Sequence, residues 1–119
     1  MKTNVKITNL EMTPAIQAYL DDKLSHLDKL VVGREDEVLA SVELGKETEH
    51  HKQGDIFKAE VNIRFDGRNF YTVAREADLY AAIDVVRDQA AEELKAYRNK
   101  KNTLLRRGGR FIKNMFKRS

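Results

Sequence analysis

Hydrophobic and polar residues alternate along several short segments of the chain, as they do in strands that are buried on one face. The clearest case is the stretch from Phe57 to Phe65, where every second residue is apolar and the residues between them are Lys, Glu, Asn and Arg. The same period of two predicts further strands over residues 4–8, 38–44 and 68–75. The pattern therefore predicts four strands, each with one apolar face.

The strands over residues 57–65 and 68–75 are predicted to form a hairpin. Asp66-Gly67 lies between them and has the composition of a type I′ turn, whose two central positions need positive φ. This turn fixes the register, in which Phe65 faces Arg68 and Ile63 faces Phe70. The opposite face of the hairpin is then mostly polar and carries Lys58, Asn62, Arg64, Asn69, Tyr71 and Arg75. We expect a sheet that is covered on one side only.

Two segments show the spacing of amphipathic helices. The first begins with Thr13 as the N-cap and Pro14 at the first helical position, carries Ile16, Leu20, Leu24, Leu27 and Leu30 on one face, and is predicted to end near Gly33. The second begins after Asp78 and carries Leu79, Ile83, Val86, Ala90, Leu94 and Tyr97 on one face. The Gly108-Gly109 pair is expected to break this helix.

The predicted order β-α-β-β-β-α gives an α+β two-layer sandwich, with a four-stranded sheet and two helices on one face. With 119 residues, 41% of them hydrophobic, the chain is long enough for one core. We expect one α+β domain over residues 1–101. Residues 102–119 form a basic tail that is either disordered or becomes helical when bound.

The charge of the chain is concentrated at one end. Residues 1–94 contain twelve basic and nineteen acidic residues, whereas residues 95–119 contain ten basic residues and no acidic one. Such asymmetry indicates a polyanionic partner, and nucleic acid is the leading candidate. A solvated tail without a partner is the alternative that the charge alone leaves open.

Several classes of chemistry lack the residues they need. The chain has no cysteine, so a disulfide framework, a thiolate zinc site and a cysteine nucleophile are excluded. Its six glycines fit neither phosphate-binding loop motif, and the His50-His51 pair lacks the further ligands of a metal site. We expect neither an enzyme nor a cofactor. Because no apolar run approaches the roughly 20 residues of a membrane span, we expect a soluble cytoplasmic protein.

Four segments of the chain resemble the ribosome hibernation promoting factor family, also called ribosome-associated inhibitor A or sigma-54 modulation proteins. They are Met12-Thr13-Pro14-Ala15-Ile16, Lys23-Leu24 with Leu27 and Lys29, Gly54 to Val61, and Asp78-Leu79-Tyr80-Ala81-Ala82-Ile83-Asp84. The resemblance runs through about residues 2–101, and the chain looks like a short form of the family. It implies a fold similar to a double-stranded-RNA-binding domain that lies in the mRNA and A- and P-site tRNA channel of the small ribosomal subunit.

The resemblance also implies which residues contact 16S rRNA. Family members use basic residues along both helices, which here correspond to Lys23 and Lys29 on the first and to Lys95, Arg98, Lys100 and Lys101 on the second. Four usual family cations are replaced, by Gln17, His26, Gln89 and Glu92. We expect compensation by Arg87 and by Arg106, Arg107 and Arg110 of the basic end. His26, when protonated, and Arg75 complete the set of candidate contacts.

We therefore expect a translation inhibitor that binds the small subunit as a monomer, through 16S rRNA and neighbouring ribosomal proteins. No small-molecule substrate and no membrane partner are expected for this function. Two alternatives stay open at this point. One is a general module for structured RNA. The other is a regulator that acts through its tail, in which Phe111, Ile112, Met115 and Phe116 fall on one helical face, on a protein or membrane surface.

Overall fold

The computed structural model describes the backbone of residues 1–48 and 54–118, and the side chains of residues 1–48 and 54–107. A four-stranded sheet contains β1 (Lys2–Thr8), β2 (Leu39–Thr48), β3 (Asp55–Phe65) and β4 (Arg68–Glu76) in that order. β1 is parallel to β2, and the other two pairs are antiparallel. Helices α1 (Pro14–Ser25) and α2 (Leu79–Arg118) cover one face of the sheet. This arrangement confirms the predicted α+β fold.

The β3–β4 hairpin has the predicted register. Ile63 pairs with Phe70, and Phe65 pairs with Arg68 across the turn. Asp66 has φ of 57° and Gly67 has φ of 71°, so both central turn positions are left-handed, as a type I′ turn requires. Because the register is fixed by this two-residue turn, the buried and exposed faces of both strands could be predicted correctly from the sequence.

Helix α1 begins as predicted but ends early. The Ile16 N–H donates to the Thr13 hydroxyl at 3.1 Å, which caps the helix ahead of Pro14. The α-helix stops at Ser25, and the chain continues as a 3₁₀ helix over His26–Leu30 rather than as α-helix to Gly33. The spacing of three between Leu27 and Leu30 suits a 3₁₀ helix as well as an α-helix, so the apolar pattern does not distinguish the two.

Helix α2 packs on the sheet through its predicted apolar face. Leu79, Ile83, Val86, Ala90 and Leu94 are all buried. The Asp78 carboxylate accepts a hydrogen bond from the Tyr80 N–H at 3.0 Å and caps the first turn. The predicted break at the two glycines of residues 108–109 is wrong, because the helix continues to Arg118. Glycine costs an α-helix about 1 kcal/mol relative to alanine, which weakens a helix without forbidding it.

Candidate nucleic-acid interface

Basic side chains from three elements gather at one end of the domain. The 3₁₀ helix His26–Leu30 packs beside α2, and the β3–β4 turn reaches the same end of α2. A groove of about 370 Å³ lies between the 3₁₀ helix and α2, and its rim carries Lys29, Arg34, Arg98 and Lys101. Arg68 and Lys100 lie on the other flank of α2, beside Tyr97. Several cations are therefore presented at one end of the domain, on both flanks of α2.

Asp66 at the tip of the hairpin fixes part of this surface. Its carboxylate accepts hydrogen bonds from the Tyr97 hydroxyl at 2.5 Å, from Lys101 Nζ at 2.9 Å and from Arg34 Nη2 at 2.9 Å. Arg34, Tyr97 and Lys101 hold the pKa of the Asp66 carboxyl well below its usual range, and Arg34 contributes most. The turn, the loop after the 3₁₀ helix and α2 are thereby joined at one carboxylate.

Arg34 is held by two acidic residues. Besides its contact with Asp66, its Nε donates to a carboxylate oxygen of Glu37 at 2.5 Å. These hydrogen bonds raise the pKa of the Arg34 guanidinium above its usual value. The guanidinium also lies 4.6 Å from the centre of the Phe65 ring. Two carboxylates thus offset the positive charge of Arg34 in the free protein.

Three of the predicted contacts lie along the line where α1 and its 3₁₀ extension meet α2. Lys23 pairs with Asp84 at 3.7 Å and lies 5.0 Å from the centre of the Tyr19 ring. Arg87 pairs with Asp88 at 2.7 Å, and its Nη1 donates to Nδ1 of His26 at 3.0 Å. These side chains support the packing of the two helices, so part of their charge is already used within the protein.

The remaining predicted cations of the helical layer are exposed. Lys29 and Arg98 line the groove, Lys95 is exposed about one turn before Arg98, and Lys100 is exposed on the other flank of α2. Arg106 and Arg107 follow on the part of α2 that extends past the sheet. Among the described residues, none of these six side chains forms an ion pair with a carboxylate. They are therefore the cations best placed to meet a polyanion. The side chain predicted at Arg110 lies outside the described residues.

Arg75 is not part of this surface. It lies on β4 beside Lys58, on the face of the sheet that the helices leave open. There its Nε contacts Glu47 at 3.2 Å. Tyr71, 54% exposed, lies on the same open face. Arg75 therefore lies on the opposite side of the sheet from the predicted contacts on the two helices.

Two cations of this end were not predicted. Arg34 follows the 3₁₀ helix and Arg68 follows the β3–β4 turn, and both come close to α2 only through tertiary packing. The spacing of residues on the helices carries no information about either one. The predicted hairpin register places Arg68 beside the turn, and this is the one signal that points to its position near the tip.

Other kinds of site find little support in the part of the chain that the structure describes. No group of three or more His, Asp or Glu side chains there could hold a metal ion. The His50-His51 pair lies outside that part. Within the described residues, no helix has both the length and the apolar character needed to span a bilayer. The cationic surface beside α2 is therefore the strongest candidate site.

Known proteins with similar sequences include ribosome hibernation factors. The chain is 31% identical over 104 residues to the ribosome hibernation promotion factor of Lactococcus lactis subsp. cremoris, which covers 86% of this chain and 52% of that protein. It therefore spans about half the length of this relative. It is 28% identical over 109 residues to the ribosome hibernation promoting factor of Pseudomonas putida, covering 88% of this chain and 94% of that protein.

Solved structures with the same fold are also known. The N-terminal domain of Protein Y from Thermus thermophilus is 31% identical, with a TM-score of 0.68 over 82% of this chain and 99% of that one. A ribosomal subunit interface protein from Coxiella burnetii, 15% identical, shares the fold with a TM-score of 0.61 over 81% of this chain and 98% of that one. The family model described as Sigma 54 modulation protein / S30EA ribosomal protein matches residues 3–102, and the chain belongs to this family.

Proposed function

We propose that the protein is a ribosome hibernation factor. It binds the small ribosomal subunit as a monomer, in the channel used by mRNA and by the A- and P-site tRNAs, and it stops translation by occupying that channel. Its partners there are 16S rRNA and neighbouring ribosomal proteins. The family match and the names of its relatives support the ribosome as the target.

One observation carries the proposal for RNA. The exposed cations Lys29, Lys95, Arg98 and Lys100 lie at one end of the domain, and none of them pairs with an acidic residue among the described ones. Unpaired, exposed cations on one surface attract phosphates and release the counterions condensed on RNA. The outer face of the sheet supports a monomer, because it carries mainly polar side chains, such as Lys58, Glu60 and Asn62, rather than an apolar surface that a second copy would cover.

The mechanism needs no bond chemistry. Each Lys or Arg that meets a phosphate is expected to steepen the slope of log affinity against log salt by roughly 0.7 to 0.9. The folded domain then excludes mRNA and tRNA because it fills the same space. Specificity for the ribosome comes from the shape of the channel together with the fixed positions of the cations.

The experiment is a competition assay on purified small subunits. Binding of the labelled protein is measured at several salt concentrations, alone and with initiator tRNA and mRNA added. We expect binding that weakens with salt and that tRNA and mRNA displace. A blunt RNA duplex of similar charge serves as the comparison ligand.

Two results would contradict the proposal. Binding that tRNA and mRNA leave unchanged would place the protein outside the channel. Equal affinity for the blunt duplex and for the small subunit would instead favour a general module for structured RNA.

A further inference from the structure

The groove between the 3₁₀ helix His26–Leu30 and α2 has an apolar floor beneath its cationic rim. Its volume is about 370 Å³, within the range of roughly 300 to 1,000 Å³ that small-molecule sites occupy. The floor is formed by Leu30, Val31, Phe65, Leu94 and Tyr97. The groove is therefore large enough, and apolar enough, to enclose part of a ligand rather than only to touch it.

Phosphate binding alone does not account for this floor. A phosphate group is held by cations and N–H donors, and apolar side chains add nothing to that interaction. A nucleotide, in contrast, joins a flat and largely apolar base to an anionic phosphate. Proteins that bind unpaired RNA bury such bases against aromatic and apolar side chains. The combination of floor and rim in this groove matches a nucleotide better than it matches a duplex backbone.

The charges around the rim are not equivalent. Asp66 and Glu37 offset the charges of Arg34 and Lys101 on the side of the hairpin tip. Lys29 and Arg98 also line the groove, and neither pairs with a carboxylate among the described residues. Asn102 lines the groove as well, and its amide can both donate to and accept from the edge of a base. One part of the rim thus suits a phosphate, while the floor and the amide suit a base.

We propose that this groove binds one unstacked nucleotide of an RNA strand. The base lies against the apolar floor near Asn102, and the phosphate meets Lys29 and Arg98. This assignment rests on the proposed function, since RNA is the partner in both. It adds a base-sized site to a surface otherwise explained by contacts with phosphates.

The test compares the binding of two RNA ligands by the 119-residue chain. One is a blunt RNA duplex, and the other is the same duplex with a single unpaired adenosine. Burial of one base against such side chains predicts about 5- to 100-fold tighter binding of the second RNA. Val32→Trp fills the groove from its rim, where Val32 is 75% exposed, and Asn102→Ala removes the amide. We expect both variants to lose the preference for the unpaired adenosine while keeping the affinity for the blunt duplex.

Ser41→Trp is the matched control, because Ser41 is exposed on β2, away from the helices. It should leave both affinities unchanged. Thermal unfolding of each variant establishes that it is folded. Equal binding of the two RNAs by the wild type would overturn the proposal, and so would an undiminished preference in both groove variants. Free AMP that binds more tightly than the bulged duplex would overturn the assignment to an RNA strand.

The failure of this proposal is distinguishable from the failure of the proposed function. If the wild type binds small subunits but does not distinguish the two duplexes, the nucleotide site is wrong and the ribosomal target stands. If tRNA and mRNA do not displace the protein from subunits while the preference for the unpaired adenosine persists, the groove binds RNA and the proposed place on the ribosome is wrong.

Discussion

At the scale of single residues, the distinction between paired and unpaired cations divides the candidate contacts. Helical spacing predicts the face on which each Lys or Arg of the two helices lies, but it does not predict which carboxylate pairs with it. The structure shows that Lys23, Arg87 and Lys101 each pair with a carboxylate, whereas Lys29 and Arg98 do not among the described residues. The partners of Lys23 and Lys101 lie on other elements, and the partner of Arg87 is its neighbour in the sequence. The spacing of residues along a helix therefore does not reveal these pairs.

This division predicts different effects for two arginine substitutions. Arg98→Ala should lower the slope of log affinity against log salt by about 0.7 to 0.9 when binding to small subunits is measured. Arg75→Ala should leave the slope unchanged, because Arg75 lies on the open face of the sheet and contacts Glu47. Equal effects of the two substitutions would contradict the assignment of the interface to the helical side.

We expect Asp66 to make the stability of the folded protein depend on pH. Its contacts, above all with Arg34, lower the pKa of its carboxyl in the folded state. The stabilisation is therefore fully present well above the unfolded carboxyl pKa of about 4 and is lost as the pH falls below it. Asp66→Asn should lower the thermal unfolding temperature at pH 7, and the difference from the wild type should shrink towards pH 2.5. A difference that stays constant over this pH range would contradict the role of the ionised carboxylate.

Among the helices and strands, the fold is predicted well where a short turn or cap motif determines the backbone geometry. The Asp66-Gly67 turn fixed the hairpin register, and Thr13 and Asp78 marked the helix starts. The ends of the helices were predicted less well. A change from α-helix to 3₁₀ helix at Ser25 leaves the apolar spacing nearly intact, and two glycines do not suffice to stop α2.

Tyr80 of α2 lies where this helix contacts α1, and we expect it to stabilise the fold. Its ring packs edge-to-face on Tyr19, with the ring centres 4.8 Å apart. The Tyr19 hydroxyl donates to Asp84, and that hydrogen bond raises the pKa of Tyr19 to about 12. Tyr80→Ala should lower the free energy of unfolding by about 1 kcal/mol, measured by urea denaturation. RNA affinity should change little. Unchanged stability together with weaker RNA binding would mean that the ring meets RNA rather than the protein.

Helix α2 also presents an apolar face that the sheet does not cover. Leu104 and Leu105 continue the stripe that includes Leu94 and Tyr97, and they are 56% and 66% exposed. This extension lies past residue 102, where the family match ends. The cations of the extension follow from composition, but their presentation on a continuous helix does not, because it depends on the helix passing through the glycine pair.

In the folded molecule, the basic residues that are concentrated at one end of the sequence also lie at one end of the structure. Exposed cations collect where the 3₁₀ helix, the hairpin tip and α2 meet, and the basic part of α2 extends from the same end. The sequence could predict that a basic end exists and that two helices carry it. It could not predict that Arg34, Arg68 and Asp66 would join it, since those contacts link residues about 30 or more positions apart.

We propose that the cations of this end stop translation by binding the ribosome. The most direct measurement is in vitro translation with increasing amounts of three proteins. The first is the wild type, and the second is the triple variant Lys29→Ala, Arg98→Ala, Lys100→Ala. The third is a control of equal charge, Lys2→Ala, Lys6→Ala, Arg64→Ala, which alters exposed cations on the open face of the sheet.

We expect the wild type and the control to inhibit translation at similar concentrations. The variant of the helical side should need a concentration at least about tenfold higher, because it loses up to three phosphate contacts while its net charge equals that of the control. Equal inhibition by the two triple variants would contradict the proposed surface. Translation at full rate with a large molar excess of the wild-type protein over ribosomes would contradict the proposed function itself.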